Sequence, residues 1–534
     1  MEILADFTVI FAAAAIMLLI MDRFGHPSLP GYIIAGIVAG TLISSTDLLN
    51  LAQIGIAFLV FIFGLKYNPK NLKSTASAAI NTSLIQMLVT GGLAYLLATA
   101  LGFDSNNSFY FAMAAALSSS LVGLQLTERE IHTNLLHGRL VESLHFVQDM
   151  VAFALIAVVL ATTVESALLA LAYSALIIVG AVLFRDHVFG FIAEQAGGNQ
   201  ELITMASLSL LIGFIGLSEF LGASMVVGAF AAGIAASKFP YNVELLDTMG
   251  SIKDFFSAIF FVILGALLSF PSQTVLASAI GLTLITVIVG PLTAYLSLKM
   301  FNYDNRTALL TGLSIDQVSE LALVITIQGF VLGFITDVTF EAIILAATAT
   351  MVLSSYTKKY EEEIYNVIGS ERGSRTSYET EDHVIVVGYD IQGKKIVEAL
   401  LEEETEFIVI DNDPEKISEL NQKGFKAVYG DVMDEITWDE ANHENAALII
   451  STVPSFKISG RILGIESPKD KIVRAEDPKE GLELLEKGAL HVMVPDIAAS
   501  EKMVDDLYAL TNNPVKKEEM RRKSLLEFRK YLNL

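Results

Sequence analysis

Two fold classes follow one another along this sequence. The first is an all-α membrane domain of 13 transmembrane helices, built as an inverted repeat with crossed broken helices. The second is a cytoplasmic α/β domain of Rossmann-like type. Three observations predict this. Of 534 residues, 53% are hydrophobic and only 18% charged, where a water-soluble chain carries about 25% charged residues. The imbalance is local: residues 361–534 hold 22 of the 35 Lys and Arg and 37 of the 59 Asp and Glu. Beyond residue 382, short apolar runs alternate with helical patterns, as in a parallel doubly wound sheet. The expected parts are a membrane domain (1–360), a linker (361–381), a Rossmann-like domain (382–510) and a charged tail (511–534).

A span needs about 20 mostly apolar residues. Such stretches lie near 4–22, 28–44, 50–66, 76–101, 108–126, 135–162, 165–185, 200–219, 221–237, 249–270, 273–298, 305–335 and 338–357. The N-terminal stretch MEILADFTVIF lacks a basic n-region and reads as a first spanning helix rather than a cleaved leader. With this count, every Lys and Arg of residues 1–360 falls on the side of the C-terminal domain. The opposite loops carry Asp47, Asp104, Glu165, Glu219 and Asp337 but no Lys or Arg. The N-terminus is therefore expected outside and residues 361–534 in the cytoplasm of a cell's inner (plasma) membrane. No cysteine is present, which excludes disulfides and thiolate metal sites. A net charge of −24 argues against a nucleic acid partner.

Three stretches recur about 195–200 residues apart. IIAGIVAG (33–40) resembles VVGAFAAG (226–233), FLVFIFGL (58–65) resembles FFVILGAL (260–267), and AALSSS (115–120) resembles TGLSID (311–316). These pair spans 2 with 9, 3 with 10 and 5 with 12. Seven spans separate the members of each pair, so the halves cross the membrane in opposite senses, and a transport site is expected near mid-membrane at their interface.

Span 6 carries Gln148-Asp149 in an apolar run, where Asp149 is the only charge between Val147 and Thr162. A charge at a helix centre costs about 2.5–3.5 kcal/mol on insertion scales, so such a residue is read as functional. A carboxylate that holds either a proton or a metal cation, but not both, couples their movements. Asp149 is the expected K+ or Na+ ligand, with Gln148 adding a neutral carbonyl, since oxygen ligands suit hard cations. Ser118 and Ser119 in span 5, and Asp316 and Glu320 in span 12, complete the expected ion site. They leave hydroxyls, carboxylates and unwound carbonyls facing a cavity. Asp316 and Glu320 read equally well as structural ion-pair partners of Arg129, Arg139 or Arg306. Glu142 and His145 read mainly as solvated or pairing residues.

In the soluble part, strands are expected at 383–388, 406–411, 427–431, 446–452 and 471–477. The first turn reads Gly388-Tyr389-Asp390-Ile391-Gln392-Gly393. It follows a dinucleotide fingerprint except that Asp390 replaces the middle glycine, where a carboxylate repels phosphate. Asp411, 18 residues past Gly393, is placed to bind ribose hydroxyls, with Asn412 and Asp431 on the following strand ends. No substrate domain follows the sheet, so a sensor is expected here rather than a dehydrogenase, and the chain is not expected to be an enzyme.

Gln148-Asp149, SMVVGAFAAGI (224–234), FFVILGALL (260–268) and Gln317-Val318-Ser319-Glu320 resemble Kef-type antiporters of the monovalent cation:proton antiporter-2 family. Gly388, Gly393, Asp411 and Gly430-Asp431 resemble a Trk-type, potassium-conductance-regulating nucleotide domain. Together they cover nearly the whole chain. The resemblance implies a sodium/proton antiporter-like fold, a homodimer, and elevator-like exchange of K+ (before Na+) for H+ with Asp149 as shared carrier. It implies one-for-one electroneutral exchange, because Gln148 stands where electrogenic relatives have a second acid. It also implies control by AMP or NAD(H). The alternative is a nucleotide-gated potassium channel-like efflux protein, against which stands the lack of a TVGYG-like filter run. Asp316 and the Val318-Ser319 pair depart from the Kef pattern.

Overall fold

The computed structural model describes residues 2–40, 48–65, 75–128, 131, 136–159, 164–195, 199–238, 241–368, 378, 380–466 and 470–512. The chain divides into two units, residues 1–369 and 370–534.

Unit 1 is built of helices, joined by short turns and open stretches among its described residues. Seven of its helices are long and apolar enough to cross a membrane: Phe7–Phe24, Ala76–Ala100, Leu136–Val158, Glu165–Ile192, Glu201–Phe220, Gln273–Met300 and Asp337–Lys359. Shorter apolar helices, among them Ser28–Ala39, Met225–Ala236 and Glu320–Val331, lie between them. Large apolar side chains face outward at the perimeter, for example Leu19, Leu88, Ile212 and Ile288. Lipid suits such a surface, whereas helix contacts need close backbone approach. Gly233 supplies one: a Cβ there would lie 2.1 Å from the Phe61 carbonyl, with Gly64 beside it. Gly36 meets the Val262 carbonyl in the same way, with Gly265 beside it. The Gly233–Gly64 contact is thus repeated as Gly36–Gly265, which corrects the expected alignment of Gly40 with Gly233 and of Ala266 with Gly64: small residues match at several offsets, and the close approach picks the register.

Two helices break in mid-course and cross. The first runs Ser105–Ala116, opens at Leu117–Ser119, and resumes as Ser120–Leu126. The second runs Asn305–Leu313, opens at Ser314–Ser319, and resumes as Glu320–Val331. Their caps match. Asp104 accepts from Asn107 N and Asp304 from Thr307 N, each at 2.8 Å. Ser119 accepts from Val122 N at 3.2 Å and Ser319 from Leu321 N at 3.0 Å. The open stretches meet as an antiparallel bridge between Ser118 and Val318, with Ser319 N donating to Leu117 O at 3.0 Å.

This pairing corrects the expected register. Ser119 corresponds to Ser319 and Ser120 to Glu320, an offset of 200, whereas AALSSS against TGLSID gave 196. The second opening is longer. Matching small residues by type slid across it, while the caps hold the true register. Two boundaries also differ. The segment expected to be linker begins with a helix, Glu361–Ile368, whose Tyr365 is buried. The span expected at 165–185 continues through a wide π-turn at Arg185–Phe189 to Gln195.

Unit 2 holds a parallel six-stranded sheet in the order β3-β2-β1-β4-β5-β6. The strands are β1 (His383–Val387), β2 (Phe407–Asp411), β3 (Ala427–Tyr429), β4 (Ala446–Ser451), β5 (Asp470–Arg474) and β6 (His491–Met493). Alternate side chains feed two cores: Ile385, Val387, Ile408 and Ile410 face one helix layer, Val384, Val386 and Val409 the other. Burial on both faces explains the unbroken apolar runs of the central strands. β6 was not expected. It is a three-residue edge strand, partly exposed, with too few apolar residues to stand out. The chain order reverses between β1 and β4, which opens a crevice at their carboxyl ends.

Candidate functional site

A cavity of about 480 Å3 opens beside the crossing. Asp149, half-buried, lines it from the Leu136–Val158 helix together with Glu142 and His145, which project from the same helix. Ser120 enters from the first resumed helix, and Glu128 and Asp254 add two more carboxylates. Among the described lining residues there is no Lys or Arg. Four acids among the described lining residues favour cations over anions there. Phe153 and Phe230, stacked at 3.8 Å between ring centroids, form part of the apolar wall.

The other expected ion-site residues take different places. Gln148 is buried with its carbonyl turned away from the cavity: Oε1 accepts from both the backbone N (3.1 Å) and the hydroxyl of Ser118. Its Nε2 donates to Gln86 Oε1 at 2.8 Å, and Gln86 Nε2 reaches Thr90 Oγ1 at 3.1 Å. Gln148 therefore pins the first helix break and does not add a ligand to the cavity. Ser118 is spent on that bond and Ser119 on capping its own helix, so of these three neighbouring serines it is Ser120 that lines the cavity. Glu320 is fully buried. Its Oε1 accepts from Ser120 Oγ at 2.9 Å and Leu121 N at 3.1 Å, which places a carboxylate at the positive end of the Ser120–Leu126 helix. Asp316 lies in a second, smaller cavity. Among the described residues neither Asp316 nor Glu320 forms an ion pair. Arg306 sits over the Tyr365 ring at 6.0 Å, and Arg129 is outside the described residues.

His145 also departs from expectation. It is wholly buried, with Nδ1 at 2.8 Å from Val141 O and Nε2 without a hydrogen-bond partner among the described residues. Gly123 makes its room, since a Cβ there would lie 2.5 Å from Nε2. Glu128 and Asp254 were missed because each lies at the edge of its expected span (108–126 and 249–270), where a lone acid reads as a solvated charge; the helix carrying Asp254 in fact begins at Tyr241.

In unit 2 the turn Gly388–Gly393 closes over the β1 end. Gly388 has φ +90°, and a Cβ on Gly393 would lie 1.9 Å from Gly388 O. The helix Ile391–Glu402 starts there with its amide end toward the crevice. Asp411 is nearly buried, and its carboxylate accepts from Tyr389 N at 2.7 Å and Asp413 N at 2.8 Å. Lys416 Nζ bridges Asp390 (2.7 Å) and Asp411 (3.3 Å). Burial pushes the Asp411 carboxyl above its usual range, against the pull of Lys416 and the two amides. Burial draws the Lys416 ammonium down, but Asp411 and Asp390 outweigh it and hold it above its usual range. The repulsion expected from Asp390 is thus offset by a lysine within the chain. Gln392 accepts from Arg474 Nη1 at 3.3 Å, and Arg474 also reaches Thr452 O at 3.3 Å. Ile391 is exposed and Asn412 half-buried at the rim. Asp431 holds its own turn by accepting from Met433 N at 2.8 Å. Lys416, Arg474 and Thr452 carried no signal in the sequence, because each lies far along the chain from the fingerprint.

Crossed broken helices beside an acidic cavity, with a separate Rossmann-like unit, define the class: a membrane cation exchanger carrying a nucleotide-fold domain. The sequence profile of the family described as sodium/hydrogen exchanger, transmembrane, matches residues 9–359, and that of the TrkA-N domain matches 384–495. The chain belongs to the sodium/hydrogen exchanger family. It is 25% identical to the protein of Escherichia coli described as putative cation/proton antiporter YbaL, over 92% of this chain and 95% of that one. It is also 25% identical to the glutathione-regulated potassium-efflux system protein KefC of Escherichia coli, over 95% and 81%. These relatives agree with the Kef-type resemblance read from the sequence. Among solved structures, the sodium proton antiporter MjNhaP1 from Methanocaldococcus jannaschii aligns with a TM-score of 0.51 at 16% identity, covering 70% of this chain and all of that one. That likeness shows the membrane fold.

Proposed function

We propose that the membrane unit exchanges K+, in preference to Na+, for H+ one for one at Asp149, and that a nucleotide bound at the Gly388–Gly393 turn regulates the exchange. The observation that carries this reading is Asp149 projecting into an acidic cavity beside the helix crossing. A carboxylate there takes a cation or a proton, and each displaces the other. Gln148 supports neutral exchange, because it contributes no second charge. In this reading the unit makes thirteen crossings as an inverted repeat, with the N-terminus outside and residues 361–534 cytoplasmic in the inner membrane. It works as a homodimer and catalyses no chemical reaction. The ligand is AMP or NAD(H), with Lys416 and Arg474 at the mouth of its crevice.

Reconstituted in liposomes with a trapped pH dye, the protein is expected to move protons on addition of K+, more weakly with Na+, and in a manner altered by AMP or NADH. Asp149→Asn is expected to abolish the response in folded protein. Full activity in that variant overturns the assignment, and cation currents without proton movement favour a channel.

A further inference from the structure

The second helix break reaches the Asp149 cavity through a residue that does not line it. Glu320 is fully buried, and its Oε1 accepts from Ser120 Oγ at 2.9 Å and from Leu121 N at 3.1 Å. Ser120 and Leu121 are consecutive lining residues of the cavity, while Glu320 stands behind them. Ser120 and Glu320 also occupy the same place in the two halves. Each directly follows the serine that caps its resumed helix, Ser119 in one half and Ser319 in the other. Equivalent positions thus bond to each other across the crossing, and the halves differ there, with serine in one and glutamate in the other.

A hydroxyl has one proton and two lone pairs. The Ser120 proton goes to Glu320, so only lone pairs remain to face the cavity. Lone pairs are what a hard cation takes from a neutral oxygen. A serine without that bond is free to donate its proton to water or to a carboxylate of the cavity, and that bond has to break before the oxygen serves a cation. The bond from Leu121 N holds the backbone of the same turn to the same oxygen of Glu320, which fixes the hydroxyl in place as well as in direction.

We propose that Glu320 is a positioning residue for the transported cation: it turns the Ser120 hydroxyl so that its oxygen joins Asp149 as a ligand in the cavity. This deepens the exchange reading and rests on it for the identity of the ion. Glu320 acts through its two hydrogen bonds and does not touch the cation.

The test is equilibrium binding to the purified full chain in lipid nanodiscs, with radioactive Rb+ displaced by KCl, which reads the half-saturating K+ concentration without requiring exchange. The thermal midpoint of each variant shows that it is folded. Ser120→Ala and Glu320→Ala are each expected to raise the half-saturating K+ concentration about tenfold, and the double variant no further than either. Glu320→Gln is expected to stay within about twofold of the wild type, because its amide carbonyl accepts from the same two donors. An unchanged half-saturation in folded Ser120→Ala overturns the proposal. So do single effects that multiply in the double variant, or a Glu320→Gln variant as weak as Glu320→Ala. If Glu320→Ala does not fold, Ser120→Ala and Glu320→Gln decide. The expected pattern of binding without proton movement in liposomes supports the positioning role and fails the exchange reading, whereas K+ binding undiminished in Asp149→Asn overturns both.

Discussion

At the residue scale, Gln148 and His383 are explained by what they touch. Gln148 gives the Ser118 amide its acceptor, so Gln148→Ala leaves a buried N–H unmatched. Such a loss costs about 1–3 kcal/mol, and a lowered thermal midpoint of the purified protein checks it. His383, at the start of β1, is buried and bonded to Ala441 O at 2.9 Å. Burial holds its imidazole below the usual 6.5. The unfolded chain then binds a proton that the folded domain resists. The stability this leaves at neutral pH is present above about 6.5 and falls as pH drops through the folded value. The midpoint of the Rossmann-like unit is expected to decline below pH 6.5 and to decline less in His383→Gln. The position of Asp149 at a cavity was legible in the sequence, because one charge in an apolar run calls for polar surroundings. Gln148 was legible as polar but not in role, since only the fold shows that Ser118 already holds its carbonyl.

At the element scale, the crossing and the glycine contacts carry the architecture. A Cβ at Gly233 would meet the Phe61 carbonyl, and one at Gly36 the Val262 carbonyl, at the same close range. Overpacking typically costs about 1–3 kcal/mol. Gly233→Ala and Gly36→Ala are therefore expected to lower the midpoint alike, and clearly unequal effects in thermal unfolding would show that the two contacts are not equivalent. The broken helices were legible from the density of polar residues around Ser118 and Asp316. Their register was not, because small residues match at several offsets, and only the capping bonds at Asp104, Asp304, Ser119 and Ser319 choose among them. The sheet was legible from its central apolar runs, and β6 was hidden because an exposed three-residue edge has no such run.

At the scale of the whole molecule, the acidic cavity and the nucleotide crevice are built from residues distant in sequence, which is why Glu128, Asp254, Lys416 and Arg474 could not be picked out beforehand. In full-length protein, AMP or NADH is expected to raise the thermal midpoint, and Gly393→Ala to remove that rise, because its methyl collides with Gly388 O. A ligand response retained in that variant places the nucleotide elsewhere. The central claim is that one carboxylate serves proton and cation in turn. Proton release on K+ binding to the purified protein in weakly buffered solution tests it most directly. About half a proton per bound cation is expected from the wild type at the pH where Asp149 is half protonated, rising toward one at lower pH, and none from Asp149→Asn. K+ binding with no proton released would contradict it.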